Sequence, residues 1–532
     1  MSTSPLAREN RWLPAPAEGL SATGAERPVD LLLVNPPSPD ADTWIRCQHR
    51  ASQRAPDGTV WPQTALAQLA ALFPDRRVAV IDANAHQTSW QAFAGQVRQA
   101  QPRWYVTQVG RPTLQNDLAG VALAKHAGAI TVAFGPTATP IARELLQRSP
   151  ALDFVLCGEP ELTLRELFDT VEGCTAERPA AIACLYSPAG RPAETLGAIR
   201  GLAWRHEGEV IINPSRPLIA RLDDLPLPAH ALLPLGRYCA PSVRAPAAVV
   251  NTGRGCPGHC CHCLKHITYR QTVRLRSPER ILEELLLLQR LGVRHVYMQA
   301  DLFTLCRDQV AELCRLISQE ALSVSWSCSS RVDAVDQELL QLMGEAGCRW
   351  ITWAIESGSD AVLIRSGKGA LAEQVARTLG WARAAGIRNW GSFLLGLPGE
   401  TEETIRQTIA FASRLDLQHV TFDLAIPHPG TPFWEQATAQ GWLRADRSWE
   451  EADASGPAIL DYPGLRAARL EFWLAQAYRE WALKQGALWD HLVGREAVLW
   501  RSTAGRAPGS YAEGGSCWRQ GRSSLWSSVA TC

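Results

Sequence analysis

Two separate series of short apolar strands, each alternating with helical segments, constrain the fold of this chain most. The first series runs from about Val29 to Pro160 and contains VDLLLVNPP, RRVAVIDAN, RWYVTQVG, AITVAFGP and DFVLCGEP. Continuous apolar strands that alternate with helices are typical of a parallel sheet covered on both faces. We therefore predict a doubly wound α/β domain over residues 29–175.

The second series begins at Val249 and contains six strands: VVNTGRGC, VRHVYMQADLF, SVSWSCSSRVD, WITWAIESGSD, RNWGSFLLGLPGE and HVTFDLAIPHPGTP. Two of the segments between them, ERILEELLLLQRLG and EETIRQTIAFASRL, have the 3.6-residue period of amphipathic helices. Six strand–helix units predict an incomplete (β/α)6 barrel over residues 246–445. In such barrels the functional site lies at the carboxyl ends of the strands.

The remaining segments have weaker patterns. Residues 1–28 are polar and then Pro-rich, which predicts a flexible N-terminus. Residues 176–245, with RLDDLPLPAHALLP, are Pro-rich and predict a linker between the two domains. Residues 446–500 predict a C-terminal helical region. Residues 501–532 have little periodicity and predict a poorly ordered tail.

Composition excludes several classes of partner. Lys+Arg and Asp+Glu both total 53, so no overall field favours nucleic acid or an anionic membrane. The 15 cysteines are scattered and do not suggest a disulfide framework. No apolar run approaches the ~20 residues of a transmembrane helix, and no signal peptide opens the sequence. We expect a soluble, cytoplasmic protein in a reducing compartment.

Three cysteines, Cys256, Cys260 and Cys263, lie in the stretch TGRGCPGHCCHC, separated by three residues and then by two. A cubane 4Fe–4S cluster ordinarily takes four protein thiolates. A loop that supplies three leaves one iron free to bind a small molecule. Structural zinc prefers four closed ligands, commonly in two pairs. Cys261 and two histidines of the same loop keep a zinc site open on spacing alone.

The cysteine loop belongs to a longer run of motifs that resembles one family. The motifs occur in the order GEPE, RLDDLP, TGRGC, SRVD, AIESGSD, GLPGET and PHPGTP. Together they resemble the radical S-adenosylmethionine (SAM) enzymes that carry an N-terminal cobalamin-binding domain, from about Val29 to Val493. That group includes antibiotic-pathway methyltransferases, a hopanoid side-chain enzyme and relatives of the anaerobic chlorophyll-ring cyclase.

The resemblance implies a Rossmann-like cobalamin domain followed by a radical SAM barrel. It implies three cofactors: a 4Fe–4S cluster held by the three cysteines, SAM and cobalamin. Reduction would cleave SAM to methionine and a 5′-deoxyadenosyl radical, which removes hydrogen from an unactivated position. The substrate radical would then take a methyl group from methylcobalamin. We expect an oxygen-sensitive methyltransferase of secondary metabolism, acting on an unactivated carbon (or phosphorus) of a small-molecule or natural-product intermediate.

Several residues are implied to bind SAM. We expect Glu356, at a strand end, to contact the ribose or amino group. We expect Arg331 to pair with the carboxylate through its planar fork, with Ser329 nearby. The residue before the last cluster cysteine is usually aromatic in this group and packs near adenine; here it is His262. The other candidates are backbone positions of the GLPGET motif: Gly396, Leu397 and Pro398.

The expected cobalamin contacts are small residues and loop backbones beyond the strands of the first series, where doubly wound sheets bind ligands. They are Thr107, Gly110, Gly135, Thr137, Gly158 and Glu159. The domain lacks the DxHxxG motif that supplies a histidine ligand to cobalt in many cobalamin proteins. Asp82 and His86 follow the second strand, but their spacing is wrong for it. We therefore expect cobalamin without a histidine ligand.

His428 and Tyr297 are the candidate catalytic residues. His428, in PHPGTP, is a candidate acid, base or substrate contact, and a structural histidine is the alternative. Tyr297 is a candidate lining residue of an apolar substrate pocket, although core packing also explains an aromatic residue in a chain with 20 tryptophans.

Two other functions fit these features. One is a radical SAM–cobalamin cyclase or rearrangement enzyme of the hopanoid or tetrapyrrole type, without net methyl transfer. The other, of a different class, is a zinc-binding scaffold protein. For an enzyme we expect a small-molecule or lipid substrate and a reducing partner such as flavodoxin or ferredoxin, and no nucleic acid.

Overall fold

A computed structural model describes residues 28–39, 43–47, 50–55, 59–177, 192–239, 246–369 and 372–485. Of the predicted segments, the flexible N-terminus over 1–28 lies outside these ranges except for its last residue. The predicted tail over 501–532 lies wholly outside them, and the helical region over 446–500 is described as far as residue 485.

All five predicted strands of the first series form. The strands of this half are β1 (Leu31–Asn35), β2 (Trp44–Cys47), β3 (Arg50–Arg54), β4 (Val78–Asp82), β5 (Trp104–Gln108), β6 (Ile130–Phe134), β7 (Phe154–Leu156), β8 (Leu202–His206) and β9 (Glu209–Ile212). Seven of them make one sheet in the order β4-β1-β5-β6-β7-β8-β9, in which the first five are parallel. The strand order reverses between β1 and β5. This switch point is where doubly wound sheets bind ligands.

Both faces of this sheet are buried, as predicted. Leu32 and Val34 of β1 join a core on one face, while Leu31 and Leu33 join a second core on the other. The helices of this half are α1 (Thr64–Ala70), α2 (Trp90–Ala100), α3 (Leu114–His126), α4 (Ala142–Arg148), α5 (Pro160–Glu177) and α6 (Pro192–Ala198). The doubly wound α/β fold is therefore confirmed.

The predicted linker over 176–245 contains β8 and β9, which extend the first sheet. Strand β8 pairs with β7, and β9 with β8, both antiparallel. The segment therefore completes the first sheet before the chain crosses to the barrel. The prolines of the predicted linker lie on either side of this hairpin, since residues 193–213 contain none.

The second series forms the predicted incomplete barrel. Its strands, with the β11–β12 hairpin, are β10 (Ala247–Asn251), β11 (Gly253–Arg254), β12 (Arg274–Leu275), β13 (His295–Gln299), β14 (Ser325–Ser330), β15 (Cys348–Glu356), β16 (Arg388–Leu395) and β17 (His419–Leu424). The order of the six-stranded sheet is β10-β13-β14-β15-β16-β17, and every pairing in it is parallel. The carboxyl ends of all six strands therefore lie at one rim.

Helices cover the outside of the barrel. They are α7 (Lys265–Thr268), α8 (Pro278–Arg290), α9 (Arg307–Gln319), α10 (Gln337–Glu345), α11 (Asp360–Arg365), α12 (Ala372–Ala384), α13 (Glu402–Arg414), α14 (Pro432–Ala439) and α15 (Ala467–Lys484). Ser277 caps α8 by accepting a hydrogen bond from Arg280 N, and Thr401 and Thr404 form a reciprocal capping box on α13. In the described part of the chain, none of the helices has the length and apolar character needed to cross a bilayer.

A buried ionic cluster holds the segment after the first sheet against the barrel. Glu284 of α8 accepts a hydrogen bond from Arg276 Nη1 at 2.5 Å, and its other oxygen lies 2.8 Å from Nε2 of His230. Arg276 also donates to the carbonyl of Asn251 in β10. Burial favours a raised pKa for Glu284, but Arg276 and His230 outweigh it and hold the pKa of this carboxyl below its ordinary value.

Glu284→Gln is expected to lower the free energy of unfolding by about 3 kcal/mol at neutral pH, because it leaves Arg276 buried without its carboxylate. The folded-state pKa of Glu284 is depressed. The ionised Glu284 therefore stabilises the folded protein at any pH above the ordinary pKa of glutamate. This stabilisation is lost as the pH falls through the lower pKa that Glu284 has in the folded protein. Urea unfolding followed by tryptophan fluorescence should show the two proteins converging in acid.

Glu283→Gln is the matched control, because Glu283 is the neighbouring residue on α8 and is half exposed. We expect it to change the unfolding free energy by no more than about 0.5 kcal/mol. Equal stability of the Glu284 variant and the wild type at neutral pH would contradict the assignment.

Candidate functional site

The cysteine loop begins directly after β11 and ends at α7, beyond the carboxyl end of β10. Lys265, the first residue of α7, is buried, and its Nζ donates hydrogen bonds to the carbonyls of Cys256, at 2.8 Å, and Gly258. Nε2 of His266 lies 3.0 Å from the carbonyl oxygen of Cys260. The lysine and the histidine therefore fix the loop backbone on which the cysteines are carried.

Two glycines permit close backbone contacts around this loop. Gly255 has φ +87°, and a Cβ on it would lie 1.7 Å from the carbonyl oxygen of Thr272. Gly367 has φ +76°, and its Cβ would lie 2.4 Å from the carbonyl oxygen of His259. The N–H of Gly255 also donates to Asp301 Oδ2 at 2.6 Å. Any larger residue at either glycine would push the loop away from its neighbours.

Cys261 has different surroundings from the three candidate ligands. Its N–H donates to the carbonyl of Ser366, its carbonyl accepts from Phe433 N, and its side chain packs against the barrel core. Burial raises the pKa of the Cys261 thiol to about 11 and that of Cys263 to about 12. Metal binding at Cys263 would therefore have to displace a proton.

The arrangement does not resemble a preformed zinc site. Over the described ranges, no group of three His, Cys, Asp or Glu side chains is placed to hold one metal ion. Structural zinc needs four ligands within about 2.0–2.3 Å of a single ion. A cubane cluster instead takes its thiolates at separate irons.

Glu356, at the end of β15, lies against the cysteine loop. Its Oε1 is 3.9 Å from Nε2 of His262 and 3.5 Å from Nζ of Lys368. Glu356 has φ +72°, which is uncommon for a residue with a side chain, and the register of β15 against β16 shifts just before it. Burial lowers the pKa of His262. Two residues predicted to bind SAM are therefore neighbours at the barrel rim.

Arg331 also lies beside the loop, but its fork is already engaged. Its Nε and Nη2 donate to the two carboxylate oxygens of Asp333 at 2.8 and 2.5 Å, and Nη2 donates to the carbonyl of Lys368. The bond to Asp333 raises the pKa of Arg331. Nη1 is directed toward Gly258, where an added Cβ would lie 4.0 Å away. A carboxylate from SAM would meet this edge of the guanidinium, and the predicted bidentate pairing would require Asp333 to move.

Tyr297 and Ser329 are hydrogen-bonded to each other through their hydroxyls, inside the barrel. The Tyr297 ring makes an edge-to-face contact with Trp61 at 5.1 Å, in a small buried cluster that includes Ile45 of β2 and Val249 of β10. The first domain therefore contributes side chains to the barrel interior. The catalytic role of Tyr297 and the SAM contact of Ser329 remain predictions.

The backbone of the GLPGET turn is used within the protein. The N–H groups of Gly396 and Leu397 donate to Glu400, and the Gly396 carbonyl accepts from the Tyr462 hydroxyl at 2.7 Å. Burial raises the pKa of Glu400 to about 8. Contacts of SAM with Gly396, Leu397 and Pro398 remain a prediction. They would have to use atoms other than these two N–H groups and the Gly396 carbonyl.

The residues predicted to contact cobalamin follow β5, β6 and β7, at one edge of the first sheet. Gly135 and Thr137 lie in the turn after β6. Three polar groups of the set are bonded within the domain: Thr107 Oγ1 to the Val34 carbonyl (3.0 Å), Gly110 N to Asp117 Oδ2 (2.9 Å) and Gly158 N to Thr139 Oγ1 (3.0 Å). These three polar groups are therefore already satisfied within the protein, and Thr107, inside β5, is fully buried.

Two other buried side chains at this edge have polar atoms without a hydrogen-bond partner. They are Gln108, through Oε1, and Arg111, through Nε and Nη1. Buried polar groups are ordinarily satisfied. Orphaned polar atoms beside a switch point therefore fit an edge that holds a large polar ligand such as cobalamin.

Asp82 and His86 do not form a ligand pair. Asp82 is buried, and its oxygens accept hydrogen bonds from Asn35 Nδ2 at 2.7 Å and from the Tyr238 hydroxyl at 2.9 Å. His86 is exposed. The absence of a histidine ligand to cobalt stays a prediction.

A buried ion cluster joins the GEPE and TGRGC motifs across the two domains. Arg254 donates to Glu159 at 2.7 Å and to Glu161 at 2.5 Å. Arg274 of β12 donates to both oxygens of Glu159, which also accepts from Ile219 N. Both carboxylate oxygens of Glu159 are thus committed to protein partners. This side chain therefore holds the barrel's first loop against the first domain. The cobalamin contact of Glu159 stays a prediction, and it would have to use atoms other than the carboxylate oxygens.

The PHPGTP loop lies between the two domains. A Cβ on Gly430 would contact Ile267 beside the cysteine loop, at 3.3 Å, and Pro140 of the first domain, at 3.4 Å. Burial, followed by the charges of Arg111 and His262, holds the pKa of His428 well below its ordinary value. His428 is therefore neutral near pH 7 and lies near both predicted ligand sites, while its catalytic role remains a prediction.

Sequence analysis missed several residues that organise the site: Lys265, Asp301, Lys368 and Arg274. A buried lysine that binds loop carbonyls has no local signature. The pairing of Arg254 with two glutamates did have a sequence signature, because the acidic motif GEPE lies in one domain and the basic motif TGRGC in the other.

The family model described as the Radical SAM superfamily matches residues 250–412. Uncharacterized methyltransferase PH0819 of Pyrococcus horikoshii is 30% identical over 435 residues, which cover 81% of this chain and 90% of that protein. Cytidylyl-2-hydroxyethylphosphonate methyltransferase of Streptomyces wedmorensis is 26% identical over 352 residues, which cover 59% of this chain and 62% of that protein.

Among solved structures, the methyltransferase TsrM of Kitasatospora setae, with cobalamin and a 4Fe–4S cluster bound, has a TM-score of 0.61 at 18% identity. The match covers 87% of this chain and 89% of TsrM. The likeness in fold thus extends over both halves of the chain. Together with the long alignment to the Pyrococcus protein, it confirms the predicted resemblance: the chain belongs to the radical SAM superfamily and has the fold of its cobalamin-binding member TsrM.

Proposed function

We propose that this protein is a cobalamin-dependent radical SAM methyltransferase that acts on an unactivated carbon, or phosphorus, of a small-molecule intermediate. One observation carries the proposal. The Arg254 ion cluster joins the two domains. One of them carries the cysteine loop with Glu356 beside it, and the other carries the edge of the first sheet at which such folds bind ligands. The names of the Pyrococcus and Streptomyces relatives support methyl transfer, and the corrin bound to TsrM supports the cobalamin assignment.

When bound, the cluster and SAM would supply radical activation of the substrate, and cobalamin would supply a transferable methyl group. The chain's own residues would hold these groups in place. Cys256, Cys260 and Cys263 would ligate the cluster as thiolates. Lys265 would keep the loop backbone fixed by its two carbonyl contacts.

Glu356 and His262 would orient SAM at the barrel rim. Glu356 Oε1 lies 3.5 Å from Lys368 Nζ and 3.9 Å from His262 Nε2, so the carboxylate is attracted toward the lysine on the side of the cysteine loop. Its φ of +72° turns it away from the regular strand geometry. Arg331 would contribute Nη1, the guanidinium edge nearest Gly258.

The first domain would bind cobalamin at the edge formed after β5, β6 and β7. Small residues there would admit a flat corrin, and Gln108 would offer its orphaned oxygen to a corrin amide. Trp61 covers Tyr297 inside the barrel and would help to exclude water from the reacting centre. His86 is exposed and Asp82 is bonded elsewhere, so we infer that cobalt has no histidine ligand from this pair.

The test is anaerobic reconstitution with iron, sulfide and hydroxocobalamin, followed by assay of 5′-deoxyadenosine from SAM under reduction. We expect about four irons per chain, bound corrin and deoxyadenosine. The EPR spectrum of the cob(II)alamin form should lack nitrogen hyperfine coupling from a histidine. Iron loading without corrin would remove the cobalamin mechanism, and zinc with neither activity would favour the scaffold alternative.

Methyl transfer and cyclisation are separated by the product. A substrate whose mass grows by one methyl group supports the methyltransferase. An unchanged carbon count with a new ring or a rearranged skeleton would instead support the cyclase alternative.

A further inference from the structure

Arg111 is a buried cation, and the part of the chain that the structure describes offers no hydrogen-bond partner to two of its three guanidinium nitrogens. It lies three residues beyond β5, beside the switch point of the first sheet, and is 3% exposed. Its Nε and Nη1 make no hydrogen bond. Within the described ranges it also forms no salt bridge. Buried arginines are ordinarily paired, because removing a guanidinium from water is costly unless an anion or several acceptors replace the solvent.

The charged groups that act on Arg111 come from the barrel side. The nearest acidic influence is Asp453, which favours the charged form of Arg111 without forming an ion pair with it. Asp453 has an unpaired Oδ1 of its own, while its Oδ2 accepts from Ser455 at 2.9 Å. His428 lies on the other side and is neutral. Burial lowers the pKa of Arg111 to about 10, so the guanidinium is still cationic near pH 7.

The position of Arg111 lies between the two predicted ligand sites. Its electrostatic neighbour His428 is in the PHPGTP loop, which contacts Pro140 of the first domain and Ile267 beside the cysteine loop. Gln108, the last residue of β5, also has an orphaned polar atom at this edge, its Oε1. Two side chains that are three residues apart in sequence therefore have polar atoms available to a ligand bound between the domains.

We propose that Arg111 binds an anionic oxygen group, a carboxylate or a phosphate, of a ligand held between the two domains. A guanidinium presents parallel N–H donors that match such a group, and bonds of this kind are about twice as strong as neutral ones. The proposal rests on the proposed function, because that function places a substrate and a cofactor at this boundary. The anion has two possible sources: the nucleotide-loop phosphate of cobalamin, or an acidic group of the substrate.

Three variants test the proposal in the full-length protein. Arg111→Gln removes the charge, Arg111→Lys keeps it without the fork, and Arg98→Gln removes an exposed arginine of α2 as a matched control. Each is titrated with hydroxocobalamin and with cobinamide, which has the corrin but no nucleotide phosphate. Each is then heated, with and without bound corrin, in the presence of inorganic phosphate or acetate. The melting temperature of the ligand-free protein is measured in parallel.

If the cofactor supplies the anion, Arg111→Gln should weaken cobalamin binding at least tenfold and leave cobinamide binding unchanged. If the substrate supplies it, both corrins should bind normally. Phosphate or acetate should then stabilise the corrin-loaded wild type and the lysine variant, but not Arg111→Gln. In either case the ligand-free glutamine variant should melt at or above the wild-type temperature, because it has lost an unpaired buried charge.

Two results would overturn the proposal. One is that Arg111→Gln matches the wild type and Arg98→Gln in every titration. The other is that it melts several degrees lower without ligand, which would mean that Arg111 already has a structural partner. Failure of the wild type to bind either corrin would instead count against the proposed function, and the phosphate and acetate measurements on the unloaded protein would then decide the role of Arg111.

Discussion

Replacing Cys256, Cys260 or Cys263 by alanine is expected to abolish iron loading and SAM cleavage, whereas Cys261→Ala should retain both. Three thiolates from one loop are the smallest set that holds a cubane cluster with one iron left for SAM, so the loss of any one leaves two. Iron and sulfide per chain after anaerobic reconstitution, together with deoxyadenosine formation, measure the effect. We expect about four irons per chain in the wild type and near-complete loss in each of the three variants.

Cys261→Ala is a matched control, because it removes a thiol from the same loop. The Cys261 side chain packs against the barrel core, and its backbone binds Ser366 and Phe433. Its loss should cost about 1 kcal/mol of stability, as for an ordinary point mutation. Iron loading that survives in Cys260→Ala but fails in Cys261→Ala would contradict the assignment of the ligands.

The two parallel sheets were predictable because their strands are buried on both faces. Such strands read as continuous apolar runs, as in Leu31–Asn35 and Trp104–Gln108. The antiparallel strands β8 and β9 were not, since both have partly exposed positions and they lie in a segment whose flanking prolines indicate a linker. The β2–β3 hairpin was also missed. Its Arg46 is buried against Asp117 at 2.9 Å, a pairing over a long sequence separation that no local pattern reveals.

The site was predictable only where its chemistry is local in sequence. The cysteine spacing identified the loop, and the strand-end position of Glu356 identified a residue that the fold brings beside His262. The interdomain ion pairs of Glu159 could not be predicted, because its sequence position, after β7, is the same for a ligand contact and for an ion pair. Only the fold brings Arg254 and Arg274 to it.

The ion cluster between the domains is expected to be the largest single contributor to their docking. Arg254→Met should lower the free energy of unfolding by about 3–5 kcal/mol, because it leaves Glu161 buried without its cation. Glu161→Met should cost a similar amount by leaving one arm of Arg254 unpaired. The Glu159–Arg274 pair survives in both variants, so the domains should still fold. Urea unfolding, followed by tryptophan fluorescence and by iron content, measures the stability and the integrity of the cysteine loop.

A double variant that combines Arg254→Met with Glu161→Met shows whether the two residues stabilise the protein as a pair or independently. When both partners are apolar, no unpaired charge of this pair remains. The double variant should therefore be about 2 kcal/mol more stable than the sum of the single losses predicts, a coupling typical of contacting charges. Glu166→Gln is the matched control, because Glu166 lies on α5 like Glu161 but forms a more exposed ion pair, with Arg216. It should change the free energy of unfolding by no more than about 0.5 kcal/mol. Additivity of the two single variants within that margin would show that Arg254 and Glu161 do not act as a pair. The link between the GEPE and TGRGC motifs would then rest on Glu159 and Arg274 alone.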